Sequence, residues 1–248
     1  MSLKMPSLRA TAAATAVVLG GAFALVFFYA PNDADQGFVQ KIFYVHVPIA
    51  ICALLGFVVA AVHAIRHLRT GDAVHDVRSY VAIHMGVIFG TAALLTGAIW
   101  ARAAWGKWWV WEEPTLVSFL IVYLLYATYY PLRYAIADRE RQARYASVFA
   151  ITAGAFVPLN FMAVRLAESL VHPRVFATAE GGLPGSMMLT FLVALAGMAL
   201  LFVTLMRFEL AAKATRGQIS RLRRALDAGG AAGTSSRIAP VAPAEGGR

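Results

Sequence analysis

Charge is scarce in this chain. Only 14% of its 248 residues are Asp, Glu, Lys or Arg, while 60% are hydrophobic, which excludes a soluble domain of this length. Cysteine is nearly missing. Cys52 stands alone, so no CxxC redox pair or internal disulfide can form, and its mid-segment position reads as small apolar packing. There is no Walker sequence, so any ATP hydrolysis would belong to another subunit. The apolar runs lack the strict alternation of a membrane β-barrel. Tryptophan is absent from almost everywhere: all five lie between Trp100 and Trp111.

What the chain does have is long apolar runs. Six of them, at about 11–30, 45–65, 81–100, 115–132, 146–166 and 187–207, approach the roughly 20 residues a helix needs to cross a bilayer. Lipid tolerates only self-satisfied backbones, so the expected fold is an all-α bundle of six transmembrane helices. The first run follows Lys4 and Arg9 like a signal peptide. It is read as an uncleaved helix, because it is long and Pro31 follows it instead of a small-x-small site.

The formal net charge of +9 is most informative through its placement. Six spans put both termini on one side. Lys4, Arg9, Arg66, Arg69, Arg78, Arg133, Arg139, Arg141, Arg144 and the basic tail fall there; the other side holds only Lys41, Arg102, Lys107, Arg165 and Arg174. The positive-inside rule makes both termini cytoplasmic. Basic residues spread over short loops are topology signals and do not indicate nucleic acid. The expected organisation is a membrane domain over 1–212, with a tryptophan-rich outer loop at 100–114, and a cytoplasmic tail over 213–248. Residues 213–226 of that tail suit a basic helix on a lipid surface or a partner. From Asp227 onward the composition reads as disordered.

The tryptophan stretch runs Trp100-Ala-Arg-Ala-Ala-Trp105-Gly-Lys-Trp108-Trp109-Val-Trp111-Glu112-Glu113-Pro114. An ordinary aromatic belt marks both interfaces; here one outer loop holds every indole, which suggests a platform for a large planar ligand. Haem fits that description, and its iron takes histidine nitrogen as axial ligand. His46, in Tyr44-Val45-His46-Val47-Pro48, and His172, in Leu170-Val171-His172-Pro173, lie on the tryptophan side. Pro48 is expected within the first turn of helix two, where N–H groups are unpaired anyway. Lys107, Arg102 and Arg174 are the outer cations available to meet propionates. Glu112 and Glu113 either favour the positive end of a helix or orient a histidine ligand or an indole N–H. His63 and His67 share a helix face, but beside Arg66 and Arg69 they read as snorkelling side chains rather than a metal pair. His75 is expected in solvent. His84 lies one turn inside a span near the cytoplasm and is a functional candidate only by its position.

Trp105-Gly-Lys-Trp108-Trp109-Val-Trp111-Glu112 closely resembles the tryptophan-rich signature of the haem-handling membrane proteins of cytochrome c biogenesis, and within them the chain is most similar to the CcmC type over roughly 30–207. That resemblance implies non-covalent b-type haem held by His46 and His172, with Trp105, Trp108, Trp109, Trp111 and Glu112 supporting the porphyrin and Lys107 or Arg174 meeting its acids. It implies residence in the bacterial inner membrane with the haem site on the periplasmic face. It also implies delivery of haem to a haem chaperone, in a complex with an ABC transporter pair and a small single-helix subunit, without catalysis. The family usually continues Trp-Asp-x-Arg-Leu-Thr; here Glu112 keeps the acid and Pro114 replaces the arginine. The rival readings are part of a cytochrome c synthase, a membrane electron carrier, and a permease subunit without haem.

Overall fold

The computed structural model describes residues 6–166, 171–172 and 183–235. Its main elements are α1 (Leu8–Phe28), α2 (Phe43–Thr70), α3 (Ala73–Trp105), α4 (Pro114–Tyr134), α5 (Arg139–Gly154), α6 (Phe156–Leu166) and α7 (Gly185–Ser235), with a 3₁₀ turn at Phe38–Ile42. Among the described residues six helical spans are long and apolar enough to cross a membrane, α5 and α6 counting together as one. The chain is a multi-pass helical membrane protein, as its composition requires.

Helix ends follow local chemistry. Ser7 accepts from the Ala10 amide, Asp72 from Val74 and Asp138 from Arg141, at 3.1, 2.8 and 2.8 Å, each satisfying an otherwise orphaned N–H. Gly106 closes α3 in the left-handed region at φ 72°, a conformation that glycine adopts without penalty. Pro114 opens α4 at a position where a missing N–H costs nothing.

Three elements differ from expectation. α2 begins at Phe43, because the 3₁₀ turn feeds directly into it. Pro48 therefore sits past the first turn and leaves the Tyr44 carbonyl without its usual i+4 donor. The fifth span is broken at Ala155 into α5 and α6. Pro158 carries no N–H for the Gly154 carbonyl, which explains the break. α7 continues through the basic stretch to Ser235, so it covers residues just beyond Asp227 whose composition alone suggests disorder; 236–248 lie outside the described residues.

The compact membrane unit extends to Phe208. Within it α2 is central, packed on α3 along its length and also on α5. One core joins α2, α3, α4 and α5 through Phe57, Ala82, Ile83, Tyr126, Tyr129 and Ala150. Phe57 and Tyr126 stack with centroids 3.8 Å apart and planes 4° apart. A second core joins α1, α2, α3 and α7 through Val26, Phe43, Tyr44, Trp100 and Phe191. The second unit, from Glu209 onward, carries an i,i+4 pair between Lys213 and Glu209 at 3.5 Å.

The α2–α3 turn end of the bundle is polar inside. Arg133 donates to both oxygens of Asp76, at 2.7 and 2.6 Å, and to the Tyr129 hydroxyl at 2.8 Å. Its guanidinium lies over the Tyr80 and Tyr129 rings. His63 and His75 share a hydrogen bond between their Nδ1 atoms at 3.1 Å, and His67 pairs with Ser147 at 2.9 Å. These histidines are therefore tied to neighbouring helices instead of snorkelling, and His75 is half-buried rather than solvated. His84 packs against Tyr80 and Tyr130. Removing one partner of a buried ion pair strands the other charge, which typically costs about 3–5 kcal/mol. Asp76→Ala is thus expected to lower the stability of the purified protein by about that amount, measured by thermal or denaturant unfolding in detergent.

Candidate functional site

At the other end of α2 and α3 the bundle opens into a cleft of about 1030 Å³, its open mouth included. α2 contributes His46, Val47 and Ile51; α3 contributes Ala93, Gly97, Trp100 and Trp105; α4 contributes Leu116 and Phe119; α6 contributes Asn160 and Phe161. Trp109 and His172 reach in from the two loops. The wall is almost wholly apolar, broken by two imidazoles and a few polar groups.

His46 is held on one side. Its Nδ1 lies 3.0 Å from the Thr96 hydroxyl. That hydroxyl donates its single proton backwards along α3, to the Ala92 and Ala93 carbonyls at 2.8 and 3.2 Å, so toward the imidazole it acts as acceptor. This contact favours the tautomer with the proton on Nδ1, which leaves the Nε2 lone pair for a metal. Gly97 makes the room: a Cβ there would stand 2.8 Å from His46 Cε1. Trp100 meets the ring edge-on with centroids 5.7 Å apart and is itself fixed by its Nε1 bond to Gln36 at 2.7 Å. Asp33 orders that loop by accepting from the Asp35 and Gln36 amides. Lys41 is buried and donates to the Val26 and Ala30 carbonyls at 2.5 and 2.9 Å, which ties the end of α1 to the start of α2.

His172 lies edge-on to Trp105 with centroids 6.2 Å apart. Its segment is held from α4. Oε2 of Glu113 accepts from the backbone amides of Val171 and His172 at 3.0 and 3.2 Å. Glu113 is fully buried.

The tryptophans divide by face. Trp105 and Trp109 line the cleft. Trp109 buries its Nε1 without a hydrogen-bond partner, a donor that a polar ligand edge would satisfy. Trp108 and Trp111 point away, 60% and 69% exposed, with Trp111 edge-on to Trp109 at 5.9 Å. Glu112 and Lys107 are exposed in the same loop and do not line the cleft. Arg102 bonds the Gly106 carbonyl, so its guanidinium braces the loop. Arg174 lies outside the described residues.

The structure thus gathers His46, His172, Trp105 and Trp109, and sets Trp108, Trp111, Glu112 and Lys107 on the outer surface. Sequence reasoning did not select Thr96, Gly97, Asn160 or Glu113 as site residues. Only Glu113 carried a signal, as an acid beside the tryptophans.

Fold and site together define a polytopic membrane protein whose helices enclose an apolar cleft lined by indoles and faced by two imidazoles. The chain belongs to the Heme exporter protein C (CcmC) family, whose model matches residues 1–225. It is 33% identical to the Heme exporter protein C of Bradyrhizobium diazoefficiens over 177 residues, 71% of this chain and 67% of that one. Identity to the Paracoccus denitrificans protein of the same name is 31% over 203 residues, 80% of each chain. The Escherichia coli K12 protein of that name is 32% identical over 148 residues, 60% of each.

The tight fit of His46 against α3 gives a direct test. Gly97→Ala is expected to push the ring off Thr96, at an overpacking cost of about 1–3 kcal/mol. Loss of the protonated-Nδ1 signature of His46 in nitrogen-15 imidazole spectra, with lowered thermal stability, is the expected result.

Proposed function

We propose that this chain binds haem non-covalently in the cleft and hands it on during cytochrome c maturation, as a delivery protein and not a catalyst. The observation that carries the reading is the convergence of two imidazoles, one from α2 and one from a distant loop, on a single apolar cleft walled by indoles. His46 would ligate through Nε2, with Thr96 holding its other nitrogen. His172 would supply the second axial position. Trp105 and Trp109 would bear on the porphyrin faces and exclude water, and Trp109 Nε1 is placed to meet a polar substituent. The iron is part of the cargo, and bis-imidazole ligation is what would keep it from reacting in transit.

The outward ridge of Trp108, Trp111, Glu112 and Lys107 would face the recipient, in this reading a haem chaperone, and Arg174 is a cation suited to a propionate. The arrangement of basic loops supports an outward-facing cleft: residues 66–78 and 133–144, at the opposite end of the spans, hold most of the loop arginines. On this reading both termini would lie in the cytoplasm and the cleft on the periplasmic side of a bacterial inner membrane. ATP-driven release would come from an associated ABC transporter pair with a small single-helix subunit, as the family resemblance implies.

The purified protein loaded with ferric haem is expected to show a six-coordinate low-spin spectrum. His46→Ala or His172→Ala alone should convert it to a high-spin form, and the double variant should lose the signal. A spectrum indifferent to both would refute the assignment. Thr96→Val is expected to weaken haem binding roughly 10–100-fold, the usual effect of losing a ligand's supporting hydrogen bond.

A further inference from the structure

We infer that Glu113 is a positioning residue for His172: a buried carboxylate latch that fixes the backbone of the outer loop so that the imidazole is presented to the cleft. The role it plays for bound haem rests on the reading above; the latch itself does not.

An acid at the start of a helix ordinarily serves that helix, by accepting from its first amides or by offsetting its dipole. Glu113 is the N-cap residue of α4, yet its side chain makes no capping bond to α4. It turns away and spends Oε2 on two consecutive amides of another segment, those of Val171 and His172. Hydrogen bonds to a carboxylate are about twice as strong as neutral ones. Two on adjacent residues fix the orientation of the peptide planes on either side of Val171. They therefore fix the direction in which the His172 side chain leaves the backbone.

The position is costly to fill without a purpose. A carboxylate with no exposed surface loses its hydration, a cost tolerated only where hydrogen bonds replace it. Pro114 follows immediately and opens α4 rigidly, so the carboxylate hangs from a fixed point. Trp105 is the last residue of α3, and Trp109 lies in the connection that follows it and ends at Glu113. The connection that carries Trp109 into the cleft therefore also holds the second imidazole. The latch couples the tryptophan loop to the His172 loop and leaves His46, held by Thr96 on α3, independent of it.

The test uses the full-length protein in detergent or nanodiscs, as wild type, Glu113→Ala and Glu113→Gln. Without haem, hydrogen exchange is followed in peptides spanning Val171 and His172. Glu113→Ala should speed their exchange at least tenfold, whereas Glu113→Gln, whose amide oxygen still accepts, should stay within a few-fold of wild type. Unchanged exchange in Glu113→Ala would overturn the latch, whatever the protein binds. With ferric haem, Glu113→Ala should show the high-spin spectrum of His172→Ala, and added imidazole should restore the low-spin form in both. Glu113→Ala combined with His172→Ala should look like His172→Ala alone. Faster exchange with an unaltered low-spin spectrum would reduce Glu113 to a loop tether and overturn its role toward His172. Failure of the wild type to bind haem would sink the proposed function while the exchange result still decides the latch. If Glu113→Ala does not fold, Glu113→Gln decides: a high-spin spectrum and fast exchange there would overturn the acceptor role argued for the side-chain oxygen.

Discussion

The hydroxyl of Thr96 has one proton, and α3 takes it. With that proton directed at the helix carbonyls behind it, the hydroxyl meets His46 as an acceptor, which favours the tautomer with its proton on Nδ1 and a bare Nε2. The rest of the site is arranged around this choice of tautomer. Gly97 gives the ring its space, Trp100 closes one side of it, and the 3₁₀ turn with Lys41 sets where α2 begins. Each lies on, or next to, the α2–α3 pair, the most extensive helix contact in the bundle. A ligand held this way depends on the rigid part of the structure. His172 depends on a loop.

That asymmetry suits the proposed function, in which the bound haem is handed on. A site with two rigid axial ligands would trap its cargo; one with two loose ligands would bind poorly, since every group ordered on binding costs conformational entropy. Here one imidazole is fixed by helix packing and the other by a carboxylate that reaches across to a separate loop. In the proposed haem reading, displacing the loop would surrender a single axial bond while His46 stays in place. At the opposite end Arg133 bonds both Asp76 and Tyr129, which ties α3 to α4.

The architecture was legible because a bilayer leaves few options: composition and run length suffice to give six helices. The breaks inside them were less so. Apolar run length cannot see that Pro158 splits the fifth span, nor that a basic start such as Arg139–Arg144 is already helical. Among site residues, His46, His172, Trp105 and Trp109 could be named because their side chains have recognisable chemistry and the loop concentrates them. Thr96 and Gly97 could not. A threonine and a glycine in an apolar helix are ordinary, and their meaning comes entirely from the imidazole packed against them, some fifty residues earlier in the chain.

The two adjacent acids show the same limit from closer range. Glu112 follows the last tryptophan and takes the place of the motif's acid, yet it lies in solvent, while Glu113, at the motif's unspecified position, is buried and bonded to the His172 segment. One residue along a tight turn reverses the direction a side chain faces, so sequence position alone could not decide between them. Pro114, where the motif has arginine, narrows the conformations open to the residue before it and holds Glu113 in the extended form from which its carboxylate leaves α4. The loss of the arginine and the placement of the latch are thus linked through one backbone constraint, and a chain with arginine at 114 would have no such restriction holding the residue before it.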